Sequence, residues 1–321
     1  MTRQAPIPVT LVSGFLGAGK TTLLNRILNS DHGLRMAVMV NDFGAINIDS
    51  DLIVSQTQTT VSLANGCICC TVESDLIEQL ARLLDDRQNR PEYIVIEASG
   101  VSNPSKIANT LRYPQFRQDL SIDSIITVVD AEQYGDLQGE MAQLAMEQLD
   151  VADIIVLNKL DRVSAEQVAA LKARWLYPRA RVLESRYGDV PLELVLGVGR
   201  FRSAWSFTPA TAAPLLGDSR PQDHSALFDT WSFACDRPLS LKALRQALAS
   251  LPTEIYRAKG VCRIAEVPDK RCVLHLVGAR SEILPEQGWA GREPGTRLIL
   301  IGRRGALDPA DLQARFEACV A

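Results

Sequence analysis

Residues 14–21 read Gly-Phe-Leu-Gly-Ala-Gly-Lys-Thr, which matches every fixed position of the G-x-x-x-x-G-K-[ST] phosphate loop. Gly14, Gly17 and Gly19 free the backbone to wrap its N–H groups around phosphate oxygens. Lys20 reaches the β and γ oxygens, and the Thr21 hydroxyl is placed to ligate Mg²⁺. Ala18 and Thr22 complete the stretch expected against the nucleotide. Such a loop holds phosphates but does not choose a base. Asn158-Lys159-Leu160-Asp161 supplies the choice. The Asp161 carboxylate can accept from both N1–H and the 2-amino group of guanine. Adenine lacks that donor pair, and a buried carboxylate left unpaired is costly. Lys159 can lay its stem across the ring, while Asn158 reads as a brace for the loop.

Two more carboxylates stand where apolar runs end: Asp42 in Val-Asn-Asp-Phe-Gly and Glu97 in Val-Ile-Glu-Ala-Ser-Gly. Ligands of open α/β sheets bind at the carboxyl ends of strands. Glu97 is therefore expected to hold Mg²⁺ directly or through water, and Asp42 to position Mg²⁺ or water. With Lys20 they form the candidate catalytic set. The plainer alternatives are a helix cap or turn for Asp42 and a solvated strand end for Glu97. Gly100 can offer its N–H to a γ-phosphate, as a switch that senses hydrolysis. No water-orienting glutamine or arginine finger stands out, so slow basal turnover is expected.

Three of the seven cysteines, Cys67, Cys69 and Cys70, fall within Asn65-Gly66-Cys67-Ile68-Cys69-Cys70. Thiolates suit Zn²⁺, which favours four-coordinate tetrahedral sites. Three of them leave one position for water or another ligand, and an open site suits transfer. Thiolate chemistry also admits Co²⁺, because affinity order and geometry overlap. The alternatives are buried free thiols or a redox pair, although a bridge between neighbours Cys69 and Cys70 would be strained. Cys235, Cys262, Cys272 and Cys319 are scattered, and core packing is the expectation for each.

These groups need a scaffold that gathers strand ends. Mostly apolar runs at Pro8–Val12, Met36–Val40, Tyr93–Ile96, Ser124–Val129 and Asp153–Leu157 fit strands buried on both faces of a parallel sheet. Helical spacing falls between them at Thr21–Asn29, Ser74–Asp85 and Ala165–Trp175. The alternation predicts an α/β, doubly wound, mostly parallel sheet. Residues 207–226 hold prolines and no clear period, and read as a linker. A smaller α+β unit is expected after it. Its strands are read near Thr230–Ala234, Val261–Glu266, Cys272–Val277 and Arg297–Ile301, with helices at Leu239–Leu251 and Pro309–Val320. The expected organisation is a nucleotide domain at 1–206 carrying the cysteine site, a linker at 207–226 and a C-terminal domain at 227–321.

Composition agrees with this plan. A chain of 321 residues favours about two domains, and 46% hydrophobic with 22% charged residues excludes disordered, collagenous and coiled-coil classes. Lys plus Arg is 34 against 38 Asp plus Glu, so the basic excess of a nucleic-acid binder is missing. No apolar run approaches the ~20 residues of a membrane span. The stretch before the phosphate loop lacks the apolar segment of a signal peptide. The expected setting is the cytosol, where thiols stay reduced, with no nucleic acid and no membrane as partner.

Taken together, GFLGAGKTTLLNRIL, VNDFGAINIDSDLI, LANGCICC, VIEASG and NKLD resemble the CobW-type metallochaperone GTPases. These are P-loop GTPases related to the nucleotide-dependent accessory proteins of urease and hydrogenase maturation. Tyr256-Arg257-Ala258-Lys259-Gly260 and Leu298–Gly302 resemble the family's C-terminal domain, so the likeness covers both halves. It implies GTP and GDP as ligands, Mg²⁺, and Zn²⁺ or a similar ion on the cysteines with an affinity linked to bound GTP. It also implies hydrolysis coupled to handing that metal to a metalloprotein client. Two departures stand out. Many members carry a second glutamate where this chain has Ala45, which can neither ligate nor move protons. Many also carry a histidine-rich stretch, whereas this chain has only His32, His224 and His275. The competing readings are a nucleotide-gated metal-binding regulator, a cobalt-handling protein of cobalamin metabolism, and a small-molecule ATP-dependent kinase, which N-K-x-D opposes.

Overall fold

The computed structural model describes residues 5–30, 32–40, 72–86, 89–177, 180–197, 228–286, 288–289 and 291–321. Asp42, the triplet Cys67, Cys69 and Cys70, and the linker at 207–226 lie outside the described residues. The chain forms two units. One is Met1–Pro178 with Val182–Ser203, and the other is Arg179–Arg181 with Ala204–Ala321.

The first unit alternates strands and helices: β1 (Ile7–Gly14), α1 (Lys20–Leu28), β2 (Met36–Val40), α2 (Val72–Asp85), β3 (Tyr93–Glu97), α3 (Pro104–Leu111), β4 (Leu120–Asp130), α4 (Gly139–Asp150), β5 (Ile154–Asn158), α5 (Ala165–Trp175), β6 (Val182–Glu184) and the short α6 (Leu192–Val195). Every residue of β2, β3 and β5 is buried, which is why these segments are unbroken apolar runs rather than alternating ones. All pairings are parallel, in the order β2-β3-β1-β4-β5-β6. The strand order reverses beside β1, so the loops after β1, β3 and β5 open at the carboxyl edge where such sheets bind ligands. Local chemistry sets the helix starts. Asn103 accepts from the Ser105 N–H ahead of α3, with Pro104 at its first position. Ser164 and Gln167 form a reciprocal capping box at α5.

The pairing of β4 with β1 shifts register between Val9 and Thr10, leaving Asp123 as the extra residue of a bulge. Asp123 Oδ2 accepts from the Tyr93 hydroxyl at 2.7 Å and from the Gly197 N–H at 2.6 Å. Thr10 Oγ1 lies 2.6 Å from the Tyr93 hydroxyl and 2.9 Å from Ser124 Oγ. The Val195 carbonyl accepts from both Thr10 and Ser124. A buried polar knot thus ties the chain after α6 to three central strands.

Among the described residues the second unit is a five-stranded antiparallel sheet with two helices: β7 (Phe228–Cys235), α7 (Leu241–Ala249), β8 (Ile255–Arg263), β9 (Arg271–Val277), β10 (Arg280–Pro285), β11 (Thr296–Arg303) and α8 (Pro309–Glu317), in the order β10-β9-β8-β11-β7. Its core packs Phe233, Leu244, Leu248, Leu274, Leu300 and Phe316. The expected strand at Val261–Glu266 begins earlier, at Ile255, and stops at Arg263, so Tyr256–Gly260 lies inside β8. The expected helix at Leu239–Leu251 starts only at Leu241, because Ser240 caps it and Leu239 bridges to Ile264 and Val320. Cys262 and Cys272, ten positions apart, are directly paired across the consecutive strands β8 and β9. Among the described residues, no helix is long and apolar enough to cross a membrane.

Candidate functional site

β1 runs straight into the phosphate loop. Gly14, Gly17 and Gly19 have φ of 136°, 71° and 105°, a region that favours glycine and turns successive N–H groups inward. Gly19 is also the N-cap of α1, with no side-chain cap and no acidic residue in the first turn. The first N–H groups of α1 are therefore available to an anion, with the helix dipole behind them. Ala18 is buried and Thr22 exposed. Lys20, only 8% exposed, lies back over its own loop and donates to the Phe15 carbonyl at 3.2 Å.

Glu97, at the end of β3 and 2% exposed, accepts from the Thr21 hydroxyl at 2.9 Å. The start of α1 and the end of β3 thus bring a lysine, a hydroxyl and a carboxylate to one place. Hydroxyl and carboxylate oxygens are the hard donors that suit Mg²⁺, so this donor set fits the ion.

The base-side residues share the same edge. Asn158 ends β5, and its side chain does two things at once. Nδ2 donates to the Ala18 carbonyl at 3.0 Å, and Oδ1 accepts from the Gly188 N–H at 2.9 Å. A Cβ at Gly19 would fall 2.4 Å from Asn158 Nδ2, so the phosphate loop and the base loop interlock at that glycine. Lys159 takes the left-handed conformation, φ 62°, and its Nζ meets Asp130 Oδ2 at 2.6 Å. Asp130 is itself held at the end of β4, where Oδ1 accepts from the Glu132 N–H. Asp161 sits in the turn Leu160–Arg162, exposed and open to a ligand.

Three features of this edge were not anticipated from the sequence. Asp130 is one. The loop after β6 is another: the Leu160 N–H donates to the Ser185 carbonyl, and Arg26 reaches the Tyr187 carbonyl at 2.8 Å and Asp189 at 2.9 Å. Tyr187, with φ 55° and 64% exposed side chain, is presented on that loop beside N-K-x-D. The only sequence signal was Gly188 after a three-residue strand, too short to show a period. The third is a contact between Gly100 and Gln148, taken up below.

A parallel sheet with a phosphate loop at β1, a carboxylate at β3 and an N-K-x-D at β5 defines a P-loop GTPase. The chain matches the CobW/HypB/UreG nucleotide-binding domain over residues 8–183 and the cobalamin synthesis protein cobW C-terminal domain over residues 228–320. It is 32% identical to the zinc chaperone CobW of Pseudomonas aeruginosa, covering 100% of this chain and 93% of that protein. It is 31% identical to the zinc chaperone YjiA of Escherichia coli, covering 97% and 98% respectively. It is also 32% identical to the zinc-regulated GTPase metalloprotein activator 1 of Dictyostelium discoideum, over 88% of this chain and 68% of that one. This chain belongs to the CobW/HypB/UreG family and carries the cobW C-terminal domain.

Proposed function

We propose that the chain couples GTP binding and hydrolysis to the capture of one zinc ion by Cys67, Cys69 and Cys70, and to its transfer to a metalloprotein client. The observation that carries this reading is where the triplet falls in the chain. It lies between β2, which Asp42 follows, and α2, which leads into β3 and Glu97. Relatives named as zinc chaperones and as a GTPase metalloprotein activator support the same reading.

In this scheme Lys20 neutralises phosphate charge, Asp42 orients water, and the Gly100 N–H meets the γ-phosphate. Thr21 and Glu97 hold Mg²⁺, which when bound offsets charge on the phosphate oxygens. Asp161 reads guanine and Lys159, aimed by Asp130, covers the ring. The cysteines take the metal as thiolates, so capture releases protons and weakens at low pH. Residues 1–206 form the working unit and 227–321 the accessory one, joined by 207–226, in the reduced cytosol.

Coupling between two sites is reciprocal. A tenfold change in zinc affinity with nucleotide, about 1.4 kcal/mol, requires an equal change in GTP affinity with zinc. The test is competition against a chromophoric chelator, for Zn²⁺ and Co²⁺ in turn, with GDP or a non-hydrolysable GTP analogue present. Zinc should bind tighter in the analogue state. Equal affinity in both states removes the chaperone reading.

A further inference from the structure

The chain after Glu97 runs Ala98-Ser99-Gly100-Val101-Ser102-Asn103, and two neighbours on α4 hold three of its polar groups. Gln148 Nε2 donates to the carbonyls of Gly100 and Ser102, each at 3.2 Å. Asn103, which caps α3, donates from its Nδ2 to Glu147 Oε2 at 2.9 Å. On its other side Gly100 presses on the phosphate loop. A Cβ there would fall 2.7 Å from Leu16 Cδ2 and 2.8 Å from the Leu16 backbone nitrogen. Gly100 is pinned between the loop that wraps phosphate and one buried amide.

Gln148 is 0% exposed, and its own backbone carbonyl accepts from Thr127 Oγ1 at 2.8 Å, which seats this turn of α4 on β4. Two carbonyls can be met only by the NH₂ end of the side chain, so the amide's orientation is fixed by chemistry. Its Oε1 is turned away, buried and without a hydrogen-bond partner among the described residues. A buried acceptor left unmet is destabilising, and methionine would fill the same space without it. What Gln148 provides beyond packing is the pair of donated bonds.

We propose that Gln148 is a positioning residue for GTP hydrolysis. It touches no nucleotide. By holding the Gly100 and Ser102 carbonyls it sets where the Gly100 N–H stands relative to the γ-phosphate, and the two bonds redistribute when the γ-phosphate arrives or leaves. Both bonds are at the long end of the normal range, so one can be given up while the other is kept. This rests on the GTPase reading and on Gly100 as the γ-phosphate donor.

Gln148→Met removes the donor and keeps the volume. It should lower kcat about tenfold while GDP affinity stays within about twofold. Gln148→Glu keeps the shape but presents a carboxyl to two carbonyl oxygens. Burial there should keep its proton on well above the usual carboxylate range. The protonated form donates to one carbonyl and the ionised form repels both. Turnover of Gln148→Glu should therefore fall as pH rises, along a limb missing from the native protein and from Gln148→Met.

Unchanged kcat in Gln148→Met with no new pH limb in Gln148→Glu overturns the proposal. Equal losses of GDP and GTP affinity also overturn it, as they would mark Gln148 as merely structural. The native chain gives a readout that no misfolded variant can spoil. With selective ¹⁵N-glutamine labelling, the Gln148 side-chain amide should shift between GDP and a non-hydrolysable GTP analogue, and identical signals in both states refute the role. Absence of GTP turnover in the native chain would instead sink the GTPase reading itself, which keeps the two failures apart.

Discussion

The two sheets of this chain handle reactive side chains in opposite ways. In the first unit the described strands run parallel, so β1, β3, β4 and β5 leave the sheet at the same edge. Lys20, Glu97, Asp130, Asn158 and Lys159 follow from that shared direction. In the second unit neighbouring strands are antiparallel, so their ends divide between two edges, and no comparable gathering occurs among the described residues. Three of its four thiols face inward instead. Cys262, Cys272 and Cys319 are buried, and loss of water pushes all three thiols up from their usual range. For Cys262 the nearby Cys272 and Cys319 push in the same direction. Strand direction decides whether polar residues meet a ligand, and burial decides whether a thiol can react.

The sharpest break of that contrast is Lys20→Ala. It should weaken nucleotide binding or turnover on the order of 10²–10³-fold, read by fluorescent-nucleotide titration, while melting of the second unit is unmoved. A variant that binds GTP normally would show that the loop does not work as a phosphate cradle.

Asp161→Asn comes next. Loss of a charge-assisted pair costs about 2–3 kcal/mol, or ~30- to 150-fold in GTP affinity. Xanthine nucleotides should gain, since their 2-oxo group can accept from the new amide. If ATP and GTP compete equally for the native protein, the base-reading role fails.

Asp130→Asn should have a smaller effect, roughly tenfold in GTP affinity, because Lys159 loses its guide but stays on the loop. A fall in GDP and GTP affinity together, with turnover of bound GTP unchanged, would place Asp130 on the base side. A fall in kcat alone would argue against that.

The smallest effect belongs to the second unit and depends on pH. Raised thiol values mean that the folded state keeps protons which the unfolded chain gives up near pH 9. Stability from these thiols is complete below that point and declines as pH climbs above it. Denaturant melts at pH 7 and pH 10, with Cys262→Ala as reference, measure the difference. In the folded chain a thiol reagent should reach half-buried Cys235 before Cys262, Cys272 or Cys319.

Legibility followed the range of the interactions. The phosphate loop and N-K-x-D are written in consecutive residues whose local backbone does the work, so type and spacing sufficed. The buried strands were legible because parallel strands covered on both faces become apolar runs, as in Met36–Val40, whose bounds are those expected. β10, Arg-Ser-Glu-Ile-Leu-Pro, is a largely exposed edge strand and carries no such signal. β6 is only three residues long. Asp130 and Gln148 were not legible at all, because their partners lie far away in the chain and meet them only when the sheet assembles. Cys262 and Cys272 read as scattered for another reason: only the antiparallel register of β8 and β9 puts these two positions, rather than their neighbours, opposite each other.

The knot around Asp123 decides where this chain can be cut. Similarity to the nucleotide-binding family ends at residue 183, yet the hydrogen bonds of the first unit continue to Gly197. A fragment trimmed at the family boundary would expose Thr10, Tyr93, Asp123 and Ser124 in mid-sheet without the backbone groups of Val195 and Gly197 they now meet. At about 0.5–1.5 kcal/mol for each hydrogen bond lost, the cut removes a sizeable share of the roughly 5–15 kcal/mol that holds a domain together. Dissection should keep everything through Gly197, and a soluble, cooperative fragment 1–197 beside an aggregating 1–183 would be the mark of it.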